Sequence, residues 1–210
     1  MVKISRMLFP STKTRRNTEI PSVYAPDEIS MLLDHLKNHN QNRKRNFAIA
    51  SLAAVHGFRA CDIVAMTFAN VDWDSGTVRV VQSKTTKAMD HHLIPLTGNA
   101  LASYLLDERP DSQDPHVFLK RDGCAMKSIS VSSMIFNAYN QSGIVTKGRK
   151  HGSHSLRHSL ASNMLASGSG ILEASRALGH EDVDTTWKFY AKTDIGNLRL
   201  CGLEVPTNAD

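Results

Sequence analysis

The sequence predicts a mainly helical α+β domain that carries one small antiparallel sheet. Apolar residues recur at three- and four-residue spacing over most of the chain, which is the helical period. Between about residues 71 and 96 the pattern turns to Val-rich strands around a turn signal, Asp74-Ser75-Gly76. With 210 residues, 41% of them hydrophobic, the chain is long enough to bury a substantial core.

Residues 1–23 contain Pro10, Ser11, Thr12, a basic run and Pro21 without periodicity, and read as a basic arm or interdomain linker. The folded domain is expected to begin near Tyr24 and to occupy residues 24–210. In APDEISMLLDHLKN, residues Ile29, Leu32, Leu33 and Leu36 form a helical stripe behind an acidic first turn. FAIASLAAVHG is an apolar helix stopped near Gly57, and RACDIVAM follows as a short helix. VDWDSGTVRVVQSKTTKAMDHHLIPLT then supplies a Val-rich strand, a polar loop over 83–90 and a second strand running into Leu96. Helices are expected again at about 97–108, 128–142, 154–167, 170–178 and 184–192, before a tail at about 193–210.

Bulk chemistry excludes several classes. No apolar run approaches the roughly 18 residues needed to span a bilayer, and no secretory h-region opens the chain, so a cytoplasmic protein without membrane contact is expected. Cys61, Cys124 and Cys201 are too widely spaced for a disulfide framework or a zinc site. The net charge of +5 resides in the first 16 residues, where Lys3, Arg6, Lys13, Arg15 and Arg16 precede any acid. Residues 17–210 are neutral overall, with 20 basic and 20 acidic residues. A nucleic-acid face must therefore come from local clusters such as Arg43-Lys44-Arg45, Lys120-Arg121 or Lys147-Arg149-Lys150.

The densest constellation is HGSHSLRHSL, residues 151–160. On a helix capped at Ser153, residues His154, Arg157 and His158 share a face. Two readings fit: a solvated polar face beside Leu156, Leu160 and Met164, or a site for a phosphate or carboxylate. Two other stretches carry isolated cations at structural boundaries. GFRACDI sets Arg59 after a helix-ending glycine, and VVQSKTTK sets Lys84 at a strand end 25 residues later. LGHEDVDTTWKFYAK then supplies His180 and Tyr190.

Taken in order, these stretches resemble the tyrosine recombinase, or phage integrase, family: Arg in G-x-R, a hairpin Lys, H-x-x-R, L-G-H and a trailing T-T with Tyr. The resemblance spans about Tyr24 to Lys192 and implies the tyrosine recombinase catalytic-domain fold. It further implies cutting and rejoining of a double-stranded DNA attachment site through a 3′-phosphotyrosyl intermediate, with no metal, ATP or other cofactor. Under that resemblance Arg59 and Arg157 clamp the phosphate, and His180 hydrogen-bonds one of its oxygens. Tyr190 is the nucleophile, His154 its proton acceptor, and Lys84 the donor to the leaving 5′-oxygen. Asp62 and His158 support the site from behind. Lys87 competes with Lys84, which the distance from Arg59 favours. The residue types suit the chemistry, because planar guanidiniums give bidentate bonds to phosphate oxygens and stay charged at working pH. The remaining histidines (His35, His39, His56, His91, His92, His116 and His151) are expected at the surface.

The chain departs from the family pattern in two places. T-T-x-x-Y counted from Thr185-Thr186 would put tyrosine at position 189, where Phe189 stands, and one residue turns a helical side chain by about 100°. The favoured reading has an irregular segment presenting Tyr190. The alternatives are a tyrosine replaced at 189 to stop the chemistry, or a catalytically inactive DNA-binding regulator on the same fold. Only about 23 arm-like residues precede the catalytic fold, so the family's N-terminal core-binding domain is not expected within this sequence, which reads either as a fragment or as a naturally short member. The resemblance implies self-association into a tetramer on DNA, and the tail is expected either to dock on a neighbour or to pack on its own domain. A type IB topoisomerase shares the chemistry, but the compact L-G-H box and short length disfavour it.

Overall fold

A computed structural model describes residues 22–38, 41–83 and 88–179. Its elements run α1 (Pro26–Asn38), α2 (Arg43–Val55), α3 (Ala60–Ala65), β1 (Val71–Asp72), β2 (Thr77–Val81), β3 (Ala88–His92), α4 (Pro95–Asp107), α5 (Ser128–Gln141), α6 (Ser153–Ala166) and α7 (Ile171–Leu178). The mainly helical class with a small antiparallel sheet is borne out, in the strand order β1-β2-β3.

Helix α2 is the centre of the core. Every residue from Ala48 to Ala54 is buried, so the helix is enclosed all round rather than on one stripe. It packs against α1, α4 and α6. Helix α1 contributes Leu32 and Leu36, both fully buried, from the predicted stripe. Helix α5 closes another side with Val131, Ile135, Ala138 and Tyr139.

The start of the described chain is fastened by polar contacts. The Tyr24 amide donates to Ser159 Oγ at 2.8 Å, and the Tyr24 ring lies 4.5 Å from that of Tyr139. Arg149 sits 3.7 Å from the centroid of the Tyr24 ring and gives Glu28 a bidentate pair at 2.5 and 2.9 Å. This two-bond contact holds the Glu28 carboxyl below the usual carboxylate range.

The turn expected at Asp74-Ser75-Gly76 joins β2 to a short strand the sequence did not announce, β1, and there Asp72 Oδ1 accepts from the amides of Asp74 and Ser75 at 3.0 and 3.1 Å. Strand β2 alternates: Val78 and Val80 face the core, while Arg79 points outward and pairs with Asp90 across the ladder. Strand β3 departs from expectation. It starts at Ala88, inside the expected loop, and ends at His92 rather than reaching Leu96. The chain turns instead at Ile94-Pro95, because proline has no N–H for a ladder and its fixed φ suits the first turn of α4. Helix α6 likewise starts one residue early. Ser153 lies inside it, with its Oγ 3.2 Å from Ser132 Oγ of α5, and Gly152 takes the cap position.

Gly57 shows how tightly the end of α2 is fitted. Its φ is +67°, and a Cβ there would lie 2.5 Å from Leu178 Cδ2 and 3.1 Å from Leu160 Cδ2. Gly57→Ala should therefore destabilise the fold by about 2–4 kcal/mol, combining left-handed strain with overpacking. Urea unfolding followed by circular dichroism checks this, as a lowered midpoint at unchanged slope.

Candidate active site

The segment after Gly57 is clamped by aromatic contacts. Phe58 is 4% exposed; its ring stacks on His56 at 5.2 Å and meets the edge of His91 at 4.8 Å. With Phe58 fixed between α2 and β3, the next residue, Arg59, starts α3 from a defined position. Its Nη1 donates to Gln82 Oε1 at 3.0 Å and lies 3.7 Å from Asp62 Oδ2.

Asp62 has a 2% exposed side chain, and its Oδ1 accepts from both the amide and the hydroxyl of Ser83 at 2.9 Å. One carboxylate thus faces Arg59 and also pins the end of the β2 segment. Ser83 is the chain neighbour of Lys84, so the pinned backbone is the point from which the predicted hairpin lysine departs.

Arg157 enters from α6 and is 7% exposed. Its Nη1 donates to the Gly57 carbonyl and its Nη2 to the Leu178 carbonyl, each at 2.6 Å. The Leu178 carbonyl also accepts from Gln82 Nε2 at 3.1 Å. Arg59 and Arg157 are therefore linked through one glutamine and one shared carbonyl. The two backbone carbonyls satisfy these guanidinium N–H groups without themselves bringing a countercharge.

His154 lies one turn before Arg157 on the same helix and is exposed, while His158 one residue beyond Arg157 is half-buried. Burial, then the nearby His154 and Arg157, push the His158 pKa below the usual imidazole range. The structure thus brings Arg59, Asp62 and Arg157 into one network and carries His154 and His158 on the helix of Arg157. Lys84, Lys87, His180, Phe189 and Tyr190 lie outside the described residues, as does the tail.

Sequence reading missed three features of this site. Gln82 is 5% exposed and bridges the arginines, although alternation in β2 already pointed to it: Val78, Val80 and Gln82 are successive inward positions. His56 was expected at the surface but is buried, with Nε2 3.0 Å from Thr97 Oγ1. It lies at the end of the enclosed helix α2, where α4 covers it. His91, also expected outside, is half-buried against Phe58. Among the described residues, no group of three or more His, Cys, Asp or Glu side chains is placed to hold a metal ion. No described helix is long and apolar enough to cross a membrane.

The fold is thus a mainly helical domain with a three-stranded antiparallel sheet, in which the arginines of the G-x-R and H-x-x-R stretches are linked through Gln82 and the Leu178 carbonyl. The Phage integrase family profile matches residues 23–195, and the chain belongs to this family of tyrosine recombinases and integrases. It is 30% identical over 197 residues to the putative integrase/recombinase y4rA of Sinorhizobium fredii, covering 91% of this chain and 46% of that protein. It is 25% identical over 191 residues to tyrosine recombinase XerC of Lactobacillus delbrueckii subsp. bulgaricus, covering 89% and 63%. The fold matches the crystal structure of XerH recombinase bound to palindromic difH substrate, a post-cleavage complex, with a TM-score of 0.74 and 19% identity over 87% of this chain and 53% of that one. The chain spans about half the length of y4rA.

The buried imidazole gives this region a pH signature. Burial, and secondarily the adjacent His91, lower the His56 pKa from 6.5 to about 4. Below pH 6.5 the unfolded chain takes up a proton that the folded chain refuses until about pH 4, so stability present above 6.5 drains across that window. The slope from this one group reaches at most about 1.4 kcal/mol per pH unit. Denaturation midpoints of wild type and His56→Gln, measured from pH 7 to pH 4.5, should converge as the pH falls.

Proposed function

We propose that the chain is the catalytic domain of a site-specific DNA recombinase that cuts and rejoins duplex DNA through a 3′-phosphotyrosyl intermediate, using neither metal nor ATP. The observation that carries this reading is the joining of Arg59 and Arg157 through Gln82 and the Leu178 carbonyl into one cationic receptor. Attack on a phosphodiester adds negative charge to its non-bridging oxygens, and preorganised guanidiniums stabilise that charge where it develops.

In this reading the Tyr190 hydroxyl attacks phosphorus, its proton passing to His154, and forms the Tyr–phosphate ester as the bond to the 5′-oxygen breaks. Lys84 gives a proton to that oxygen, and His180 hydrogen-bonds a phosphate oxygen. A tyrosine hydroxyl, with a pKa near 10, is neutral at pH 7 and needs such an acceptor. Asp62 orients Arg59, and His158 packs behind the site. Rejoining runs the same steps backward with a new 5′-hydroxyl, so bond energy is conserved and no nucleotide is consumed. The XerH structure named for its DNA substrate supports duplex DNA as the partner. Assembly of several copies on that DNA belongs to the same proposal.

Phe189 favours a second reading, because it occupies the position that family spacing assigns to the nucleophile. A binding-only relative would hold DNA without forming an adduct.

The test uses duplexes selected from a randomised pool by binding to the chain, rebuilt with a nick beside the cleavage point so that the released end diffuses away. Denaturing electrophoresis and peptide mapping should find DNA attached to Tyr190, and Tyr190→Phe should abolish the adduct. An adduct that appears only with Phe189→Tyr would move the nucleophile to position 189. Binding without an adduct from either protein would establish the second reading.

A further inference from the structure

Among its partners, which include Met89 Sδ at 3.5 Å, the Gln82 side chain meets two groups of opposite demand. Arg59 Nη1 can only donate, and the Leu178 carbonyl can only accept, so the amide orientation is fixed with Oε1 toward Arg59 and Nε2 toward Leu178. Glutamine offers an acceptor and a donor on one planar amide without adding charge; glutamate would supply two acceptors and a negative charge beside the arginines. The amide is also wedged in place. Gly179 follows Leu178 with φ +63°, and a Cβ there would fall 2.2 Å from Gln82 Nε2 and 2.1 Å from Met89 Sδ. The glycine of the L-G-H box therefore leaves the space in which Gln82 sits between β2, β3 and the end of α7.

We infer that Gln82 is a positioning residue for phosphodiester cleavage, setting the Arg59 guanidinium relative to that of Arg157 through the carbonyl of Leu178 that Gln82 and Arg157 share. This rests on the recombinase reading above. Arg157 fixes the carbonyl from one side, and Gln82 measures from that carbonyl to Arg59. Leu178 lies two residues before His180 in sequence, so the same carbonyl ties both arginines to the segment that carries the third phosphate-binding candidate. Gln82 touches no phosphate in this arrangement. It acts by removing freedom from Arg59, whose side chain is 16% exposed and would otherwise search several rotamers.

The test measures single-turnover adduct formation and DNA affinity separately for the full chain, using the nicked duplexes selected by binding. Gln82→Met, unbranched and of similar size, should slow adduct formation about 10- to 100-fold, as expected for a misplaced catalytic group, with little change in Kd. In an Arg59→Lys background the same substitution should slow the reaction no further, because the guanidinium it positions is gone. Slowing that multiplies fully with that of Arg59→Lys, or a Gln82→Met chain that reacts at the wild-type rate, overturns the proposal. If Gln82→Met shows no cooperative melt, Gln82→Glu decides. Its carboxylate loses the donor to Leu178 and adds a charge, so adduct formation should fall by a larger factor in the wild-type background than in Arg59→Lys, where only the charge acts; equal factors, or wild-type rates, would refute the role. A wild-type chain that forms no adduct, at Tyr190 or otherwise, sinks the recombinase reading first and this inference with it.

Discussion

The carbonyl of Leu178 is the point on which the rest of the site depends. It receives Arg157 at 2.6 Å and Gln82 at 3.1 Å, and so joins α6, the end of α7 and the strand edge of the sheet. A guanidinium that is 7% exposed would be costly without partners, and the usual partner, a carboxylate, would neutralise it. Two backbone carbonyls solve both problems, since dipoles satisfy the N–H groups and leave the charge intact. Gly57 and Gly179 make the solution possible. Both adopt φ values near +65° at the ends of helices, and both lack the Cβ that would collide with Leu178 or with Gln82 and Met89.

The two arginines are consequently not equivalent. Nη1 and Nη2 of Arg157 each donate to a backbone carbonyl, whereas Nη1 of Arg59 lies 3.7 Å from a carboxylate oxygen of Asp62. Asp62 is itself engaged by the amide and hydroxyl of Ser83, so its position follows the end of the β2 segment.

Much of this architecture was legible in the sequence because the helices bury periodic stripes. Leu32 and Leu36 of α1, the alanine-rich α2, and the helices near 128–142 and 154–167 follow from spacing alone. Boundaries were less legible. Register across β2 and β3 carried the second strand back to Ala88, and Pro95 claimed its neighbours for α4, both outcomes of competition between local rules. For the site, helical spacing put His154, Arg157 and His158 on one side of α6 but said nothing of depth. His154 is exposed while Arg157 is buried, because the partner of Arg157 is a carbonyl 100 residues away in sequence. His56 was misread for the same reason: its imidazole is covered by α4, and no local pattern announces a hydrogen bond to Thr97. Gln82 was written in the period-two alternation of β2, where a polar residue at an inward position marks a partner waiting inside.

The central claim is that Arg59 and Arg157 together neutralise one phosphodiester. The most direct measurement compares adduct formation on a native phosphate with that on a neutral methylphosphonate at the same position, for wild type and Arg59→Ala. If the guanidinium serves the phosphate charge, the deficit of Arg59→Ala should be large on the native substrate and should shrink on the neutral one, where there is less negative charge to stabilise. An equal deficit on both substrates would contradict the account and leave Arg59 a structural cation.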